Sequence, residues 1–209
     1  MDLEERWRAL LAPFAPTAAV AAAGRDLLAR YDEPHRRYHT RAHLAAVVGA
    51  LFLDLARDPG SVELAAFFHD AVYDPRAPAG SNERESAALA AASLVPLGVP
   101  PPMVEEVERL VLTTVEHRAA PGDANAAVLN DADLAVLGAP PAAYAAYVAA
   151  VRAEYGWLDD DGWRAGRAQV IAGLLDRARL FGTERGSARW EAAARANLAA
   201  ELEELGGRA

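Results

Sequence analysis

Histidine and aspartate are placed unevenly along this chain. The five histidines are His35, His39, His43, His69 and His117, and four of them fall within residues 35–69. His69 and Asp70 are adjacent in the run AFFHDAVYD, residues 66–74, which otherwise reads as an apolar helix. A buried aspartate costs several kcal/mol, roughly, unless a cation or several donors meet it. A solvent seam or a nearby arginine would satisfy Asp70 as an isolated feature. The neighbouring histidines point to a different partner, because imidazole and carboxylate together bind divalent transition metals where thiolates are missing.

Such a site needs helices that bring distant residues together. His43 opens the segment HLAAVV and precedes His69 by one helix, a turn at RDPGS and a return helix. An antiparallel pair places the start of the first helix beside the end of the second, and so His43 beside His69 and Asp70. A further ligand must come from another helix, and LNDADLAVLG offers Asp131 and Asp133 where an apolar run is again interrupted.

The rest of the chain supports an all-α fold, with helical periodicity throughout and no strand-like alternation. Helices are expected over 2–12, 17–31, 41–57, 61–74, 83–97, 102–117, 126–137, 141–155, 162–180 and 187–205. Thr40 is positioned as an N-cap, and Asn82 with Glu85 has the spacing of a reciprocal cap. The run Pro100–Pro102 separates two helices, and Gly138 before Pro140 and Pro141 ends one and starts another. One compact helical domain is expected over 1–209, with a metal-site core over about 32–139 and additional C-terminal helices over about 140–209, where no histidine occurs.

The pattern RRYHTRAH, FFHDAVYD, NERESA, TTVEH, NDADLAVLG, EYGW, AGR and ARANLAAEL, read along nearly the whole chain, resembles the HD superfamily of metal-dependent phosphohydrolases. More narrowly, it is similar to a bacterial subgroup of predicted HD phosphohydrolases. The resemblance implies an HD-domain-like fold and the ligand order His43, His69, Asp70, Asp133. Ala132-Asp133-Leu134 matches the register of the last ligand, which assigns Asp131 to a supporting position; the reverse assignment of the two aspartates stays open. Two imidazoles and two carboxylates suit manganese, iron, cobalt, nickel or zinc. A bound divalent ion lowers the pKa of water and polarises a phosphoryl oxygen. In relatives with two metals, extra histidines hold the second ion, a role open here to His39 and His117.

Around this set, Asp74 falls one turn beyond Asp70 on the same face of the expected helix, and Glu83 opens the next helix. Either could orient water or act as acid or base, although a carboxylate in a first helical turn is equally explained by the helix dipole. His39 is placed for proton donation or phosphate binding. His117 is a pocket candidate, with a helix-end histidine as the plainer reading. Arg36 precedes Tyr38 and His39 and could clamp a phosphate, with Tyr38 beside it. Arg167, with Tyr155, could close over a substrate.

Composition excludes several alternatives. All 21 basic residues are arginine, so no lysine chemistry is available, and no cysteine is present. The lack of cysteine removes disulfides and thiolate ligands and suits a reducing cytoplasm, the expected location. A net charge of −9 argues against long nucleic acids and anionic membranes. MDLEERWRALLAPF reads neither as a signal peptide nor as a membrane span. The expected partner is a small phosphorylated molecule, with nucleotides among the candidates. The alanine-rich last helix could pack internally or across a homodimer. The alternative to an enzyme is a ligand-binding or regulatory HD protein that holds metal and a phosphorylated molecule without efficient turnover.

Overall fold

The structure, a computed structural model, describes residues 2–206. Ten α-helices and no strands occur among the described residues. They are α1 Leu3–Leu11, α2 Thr17–Arg30, α3 Arg41–Ala50, α4 Pro59–Phe68, α5 Ser81–Leu94, α6 Pro101–Thr113, α7 Ala124–Leu134, α8 Pro141–Glu154, α9 Asp160–Leu175 and α10 Glu184–Glu204. Short 3-10 turns cover Leu53–Leu55 and Ala135–Gly138. Side chains of Asp2, Asp58, Asp123, Asp159 and Thr183 accept first-turn amides at the starts of α1, α4, α7, α9 and α10. Proline at the first positions of α4, α6 and α8 serves the same end, because its missing N–H would be unpaired there anyway.

Two helices have no solvent face to speak of. Every residue from Ser61 to Phe68 on α4 is buried, as are Asn125–Ala132 on α7. A helix that is buried all round belongs at the centre of a core, and α4 packs against α3, α5, α6 and α7. Trp7, Leu44, Phe67, Phe68, Leu110 and Leu129 fill this first core. A second core begins at Leu134, inside α7 and before the compositional change near 140, and gathers Tyr144, Ile171, Phe181, Trp190 and Leu198. The apolar stripe of α10 is used up inside this second core.

Three local expectations are corrected by the structure. Helix α3 stops at Ala50 instead of 57, because Leu51 and Leu53 face the first core while Phe52 faces the second. Such alternation does not fit a helix. Helix α4 stops at Phe68 instead of 74, with His69 as its C-cap. Beyond it the amides of Val72 and Asp74 take side chains on α5 as partners, Ser86 Oγ at 3.0 Å and Asn82 Oδ1 at 3.1 Å. The His-Asp pair therefore stands at a helix end and not in mid-helix. Finally, Gly80, in the left-handed region at φ 72°, is the N-cap of α5, and Asn82 lies inside the first turn and holds the Asp74 backbone instead of capping. Thr40 occupies the N-cap position of α3 without a side-chain cap bond.

Among the described residues no single helix is long and apolar enough to cross a membrane. The pair Ala124–Gly138 and Pro141–Glu154 has the length and composition only together, is bent by 105°, and buries Asn125, Asn130 and Asp131.

Candidate metal centre

Helices α3 and α4 form the antiparallel pair that the sequence suggests, and it sets His43 Nε2 3.1 Å from His69 Nε2. Asp70, just past the end of α4, brings Oδ2 to 3.2 Å from His43 Nε2 and 3.0 Å from His69 Nε2. From α7, Asp133 Oδ1 comes to 3.3 Å from the first nitrogen and 3.7 Å from the second. Ligand atoms about 2.1 Å from one ion stand about 3.0 Å apart at right angles and about 3.4 Å apart at tetrahedral angles. The observed spacings lie on that scale. His43, His69 and Asp70 form the group whose donor atoms all lie close together, and Asp133 stands outside it, meeting the two imidazoles but not that whole set.

Supporting contacts aim these donors. His69 Nδ1 lies 2.7 Å from the Ala66 carbonyl, an acceptor only, so Nδ1 carries a proton and the neutral ring offers its lone pair at Nε2. Asp133 turns its other oxygen, Oδ2, to His117 Nε2 at 2.8 Å. His117 holds a left-handed backbone at φ 47°, strained for a residue other than glycine, and Arg177 Nη1 donates to its carbonyl at 3.1 Å.

The field in the cluster favours positive charge. Burial alone would push the His43 imidazole down, yet Asp133 and Asp70 hold it above its ordinary value. Burial likewise opposes the charged His69, and Asp70 and Asp133 raise it to about 10. Burial would raise the two carboxyls, but His69 and His39 keep Asp70 well below the carboxylate range, and His69 and His117 do the same for Asp133. A site that favours positive charge would also favour a divalent ion, whose binding would displace any protons held by the imidazoles.

The cluster lies at the edge of a cleft of about 1090 Å³, whose lining includes Tyr38, His39, Asp74, Glu83, His117, Arg167 and Arg177. His39 and Tyr38 sit at its wall, with the Tyr38 ring 4.6 Å from that of His43. Burial, then the neighbouring Tyr147 and Asp133, drive the Tyr38 hydroxyl far above its ordinary value, so it stays protonated. Glu83 lines the cleft from the first turn of α5 with a buried oxygen, Oε2, that has no partner.

Other expected residues are engaged differently. Arg36 is buried, and its Nη1 donates to the carbonyls of His39 at 3.0 Å and Asp70 at 2.8 Å, with Nη2 on Ala71 at 3.2 Å and Nε on Glu33 at 3.0 Å. It uses four of its five N–H groups on Glu33 and on the backbone of the His-Asp turn, and its side chain is fully buried, which leaves it no face to clamp a phosphate. Arg167 holds both oxygens of the buried Glu201, at 2.8 and 2.9 Å, and the Tyr147 hydroxyl at 3.1 Å. It joins α9 to α10 instead of closing over a substrate. Asp131 touches no metal-site residue and accepts from Gly182 N at 2.6 Å, Thr183 N at 2.9 Å and Thr183 Oγ1 at 2.6 Å. Asp74 is exposed in the turn after α4, accepting from Arg76 N at 2.8 Å, and shares no helix face with Asp70 because the helix has ended.

Two residues that the sequence did not single out matter here. Glu154, at the end of α8, reaches across to the Arg37–His39 backbone and to the His39 ring. Its signal was an acid on the stripe that buries Tyr144 and Val151. Arg177 lines the cleft with Nη1 and Nη2 on the carbonyls of His117 and Glu116, at 3.1 and 2.8 Å, and a buried Nε that has no partner, and no sequence signal sets it apart from the other arginines. Comparison of the chain with protein-family models, curated proteins and solved structures gave no match.

Proposed function

We propose that the protein is a divalent-metal-dependent phosphohydrolase acting on a small phosphorylated molecule, in keeping with the HD superfamily that its motifs resemble. The observation that carries this reading is the convergence of His43, His69, Asp70 and Asp133, from three separate elements, with the two imidazole nitrogens 3.0–3.7 Å from each other and from one oxygen of each aspartate. These four residues would hold the ion, and nitrogen-oxygen donor sets of this kind favour manganese, iron, cobalt, nickel or zinc over magnesium or calcium. When bound, the ion supplies a Lewis acid and a water of lowered pKa.

The surrounding side chains divide the remaining work. Tyr38 keeps its proton and can donate to a phosphoryl oxygen; His39 and Glu83 can accept or return a proton at the cleft wall. Arg177, near His117, places a guanidinium at the cleft, where an anionic substrate gains most. The cleft, at about 1090 Å³, is slightly larger than the usual small-molecule site of about 300–1,000 Å³, so a nucleotide falls within its size. A chain with net charge −9 suits a small substrate better than a long nucleic acid.

The test combines metal analysis of the purified protein and of Asp70→Ala with phosphate release from a panel of phosphoesters and nucleotides. Metal and turnover in the wild type, both lost in Asp70→Ala, support the reading. Metal without turnover on any compound favours the ligand-binding or regulatory alternative. A wild type that takes up no divalent ion contradicts both.

A further inference from the structure

Glu154 is held by more donors than its position at the end of a helix requires. Its side chain is fully buried, and Oε1 accepts the consecutive backbone N–H groups of Arg37, Tyr38 and His39 at 2.7, 2.8 and 3.0 Å. Three successive amides around one anion form a nest. The second oxygen, Oε2, lies 2.7 Å from His39 Nδ1 and accepts the Tyr73 hydroxyl at 2.9 Å. Burial would raise this acid, but His39 and the Arg37 and His39 amides bring it down to about 2. It is therefore a carboxylate at neutral pH, an acceptor with no proton to give.

That charge state dictates the histidine tautomer. Facing a carboxylate, Nδ1 must be the N–H, and a neutral ring then has its lone pair on Nε2. Nε2 of His39 has no protein hydrogen-bond partner among the described residues, and the residue lines the cleft. The ring plane is fixed by Tyr73, 4.1 Å away and tilted by 31°, whose own hydroxyl is tied to the same Glu154 oxygen. Edge contacts to Tyr38 and His43, at 5.0 and 5.6 Å, complete the setting.

We propose that Glu154 is the positioning residue of the site: by holding His39 Nδ1–H it presents the Nε2 lone pair to the cleft as a proton acceptor, which makes α8 part of the catalytic apparatus. A carboxylate behind an imidazole fixes ring and tautomer and stabilises the imidazolium that forms on proton transfer. On the phosphohydrolase reading, on which the kinetic part of this inference rests, Nε2 takes one proton from the attacking water. The water oxygen bonds to phosphorus, the phosphorus–oxygen bond to the leaving group breaks with its electron pair on that oxygen, and the proton passes from His39 to it.

The tautomer is read without turnover, by two-bond proton–nitrogen correlation spectra of nitrogen-15-labelled protein at a pH where His39 is neutral, with His39→Asn identifying its signal. The wild type is expected to show His39 protonated on Nδ1. In Glu154→Gln the amide NH₂ replaces an acceptor by a donor, and His39 is expected to switch to Nε2–H. Tyr73→Phe, which leaves the Nδ1 contact intact, is expected to keep the wild-type tautomer. A wild-type His39 protonated on Nε2 overturns the proposal, and this holds even should Glu154→Gln fail to fold. A folded Glu154→Gln with the tautomer unchanged overturns it too. With a phosphoester that the wild type hydrolyses, Glu154→Gln and His39→Asn are each expected to lower kcat by about 10²-fold with KM little changed, and together by no more than either alone. A Glu154→Gln effect confined to KM overturns the positioning role. Turnover on no compound removes the phosphohydrolase reading, while the tautomer still decides the role of Glu154.

Discussion

On the wall of the cleft made by α3, the end of α4 and α7, two imidazoles stand 3.1 Å apart and each meets one oxygen of Asp70 and one of Asp133 at 3.0–3.7 Å. The helices α8–α10 opposite bury charge too, yet each buried group there has a complementary fixed partner. Glu154 lies among amides, an imidazole and a hydroxyl, and Arg167 grips Glu201 through two bonds. The contrast is sharpest on α7 itself. Asp131 meets only neutral donors at the start of α10, whereas Asp133, two residues further along the helix, meets three histidines. Buried charge alone therefore says little about chemistry. What marks a site is a set of donor atoms directed at a common point.

Substitutions on the partnered side should break the fold and spare the cluster. Arg167→Ala leaves Glu201 buried without its cation and is expected to cost about 3–5 kcal/mol by chemical denaturation, with metal content per folded chain unchanged. Asp131→Ala strips the partners of three donors and should cost about 3 kcal/mol. Gly186→Ala should weaken the same junction, since a methyl group there would run into the Asp131 carboxylate.

The two walls should also differ in their response to pH. Burial opposes the charged His69, but Asp70 and Asp133 raise it from 6.5 to about 10. In chelator-treated protein its stabilisation is present in full below pH 6.5 and is lost as pH rises toward about 10. Added metal should remove this loss, because the nitrogens then bind the ion instead of protons. Glu154, lowered from 4.5 to about 2 against the effect of burial, contributes stability that is present above pH 4.5 and is lost as pH falls toward about 2. Thermal denaturation across pH, with and without metal, checks both.

The smallest effect is expected at His117. Glycine there relieves the left-handed backbone and should gain up to about 1 kcal/mol. The same change removes the partner of Asp133 and should weaken metal binding about tenfold. Stability rising while metal affinity falls, measured by denaturation and by competitive titration, would separate the two roles of this residue.

Much of the fold was legible because helical periodicity and helix punctuation are local. Each of the ten expected helices corresponds to one observed, and the α3–α4 pair brings His43 to His69 and Asp70. The end of α4 was not legible, because what takes over its last amides are Ser86 and Asn82, side chains that reach it only through tertiary packing. The arginines misled for the same reason. Arg36 carries a phosphate-clamping group, but its partners are the carbonyls of residues 39, 70 and 71, and whether an arginine faces a cleft or a backbone turn is set by packing. Glu154 could have been noticed as an acid on the buried stripe of α8, but its partners lie 115–117 positions away.

The central claim is that the cluster on α3, α4 and α7 binds a divalent ion, and the two aspartates of α7 allow the most direct test. Elemental analysis of wild type, Asp133→Asn and Asp131→Asn, each purified folded and exposed to the same mixture of divalent ions, should find about one ion per chain in the wild type and in Asp131→Asn and a loss in Asp133→Asn. Equal metal in all three proteins, or none in the wild type, would contradict the account.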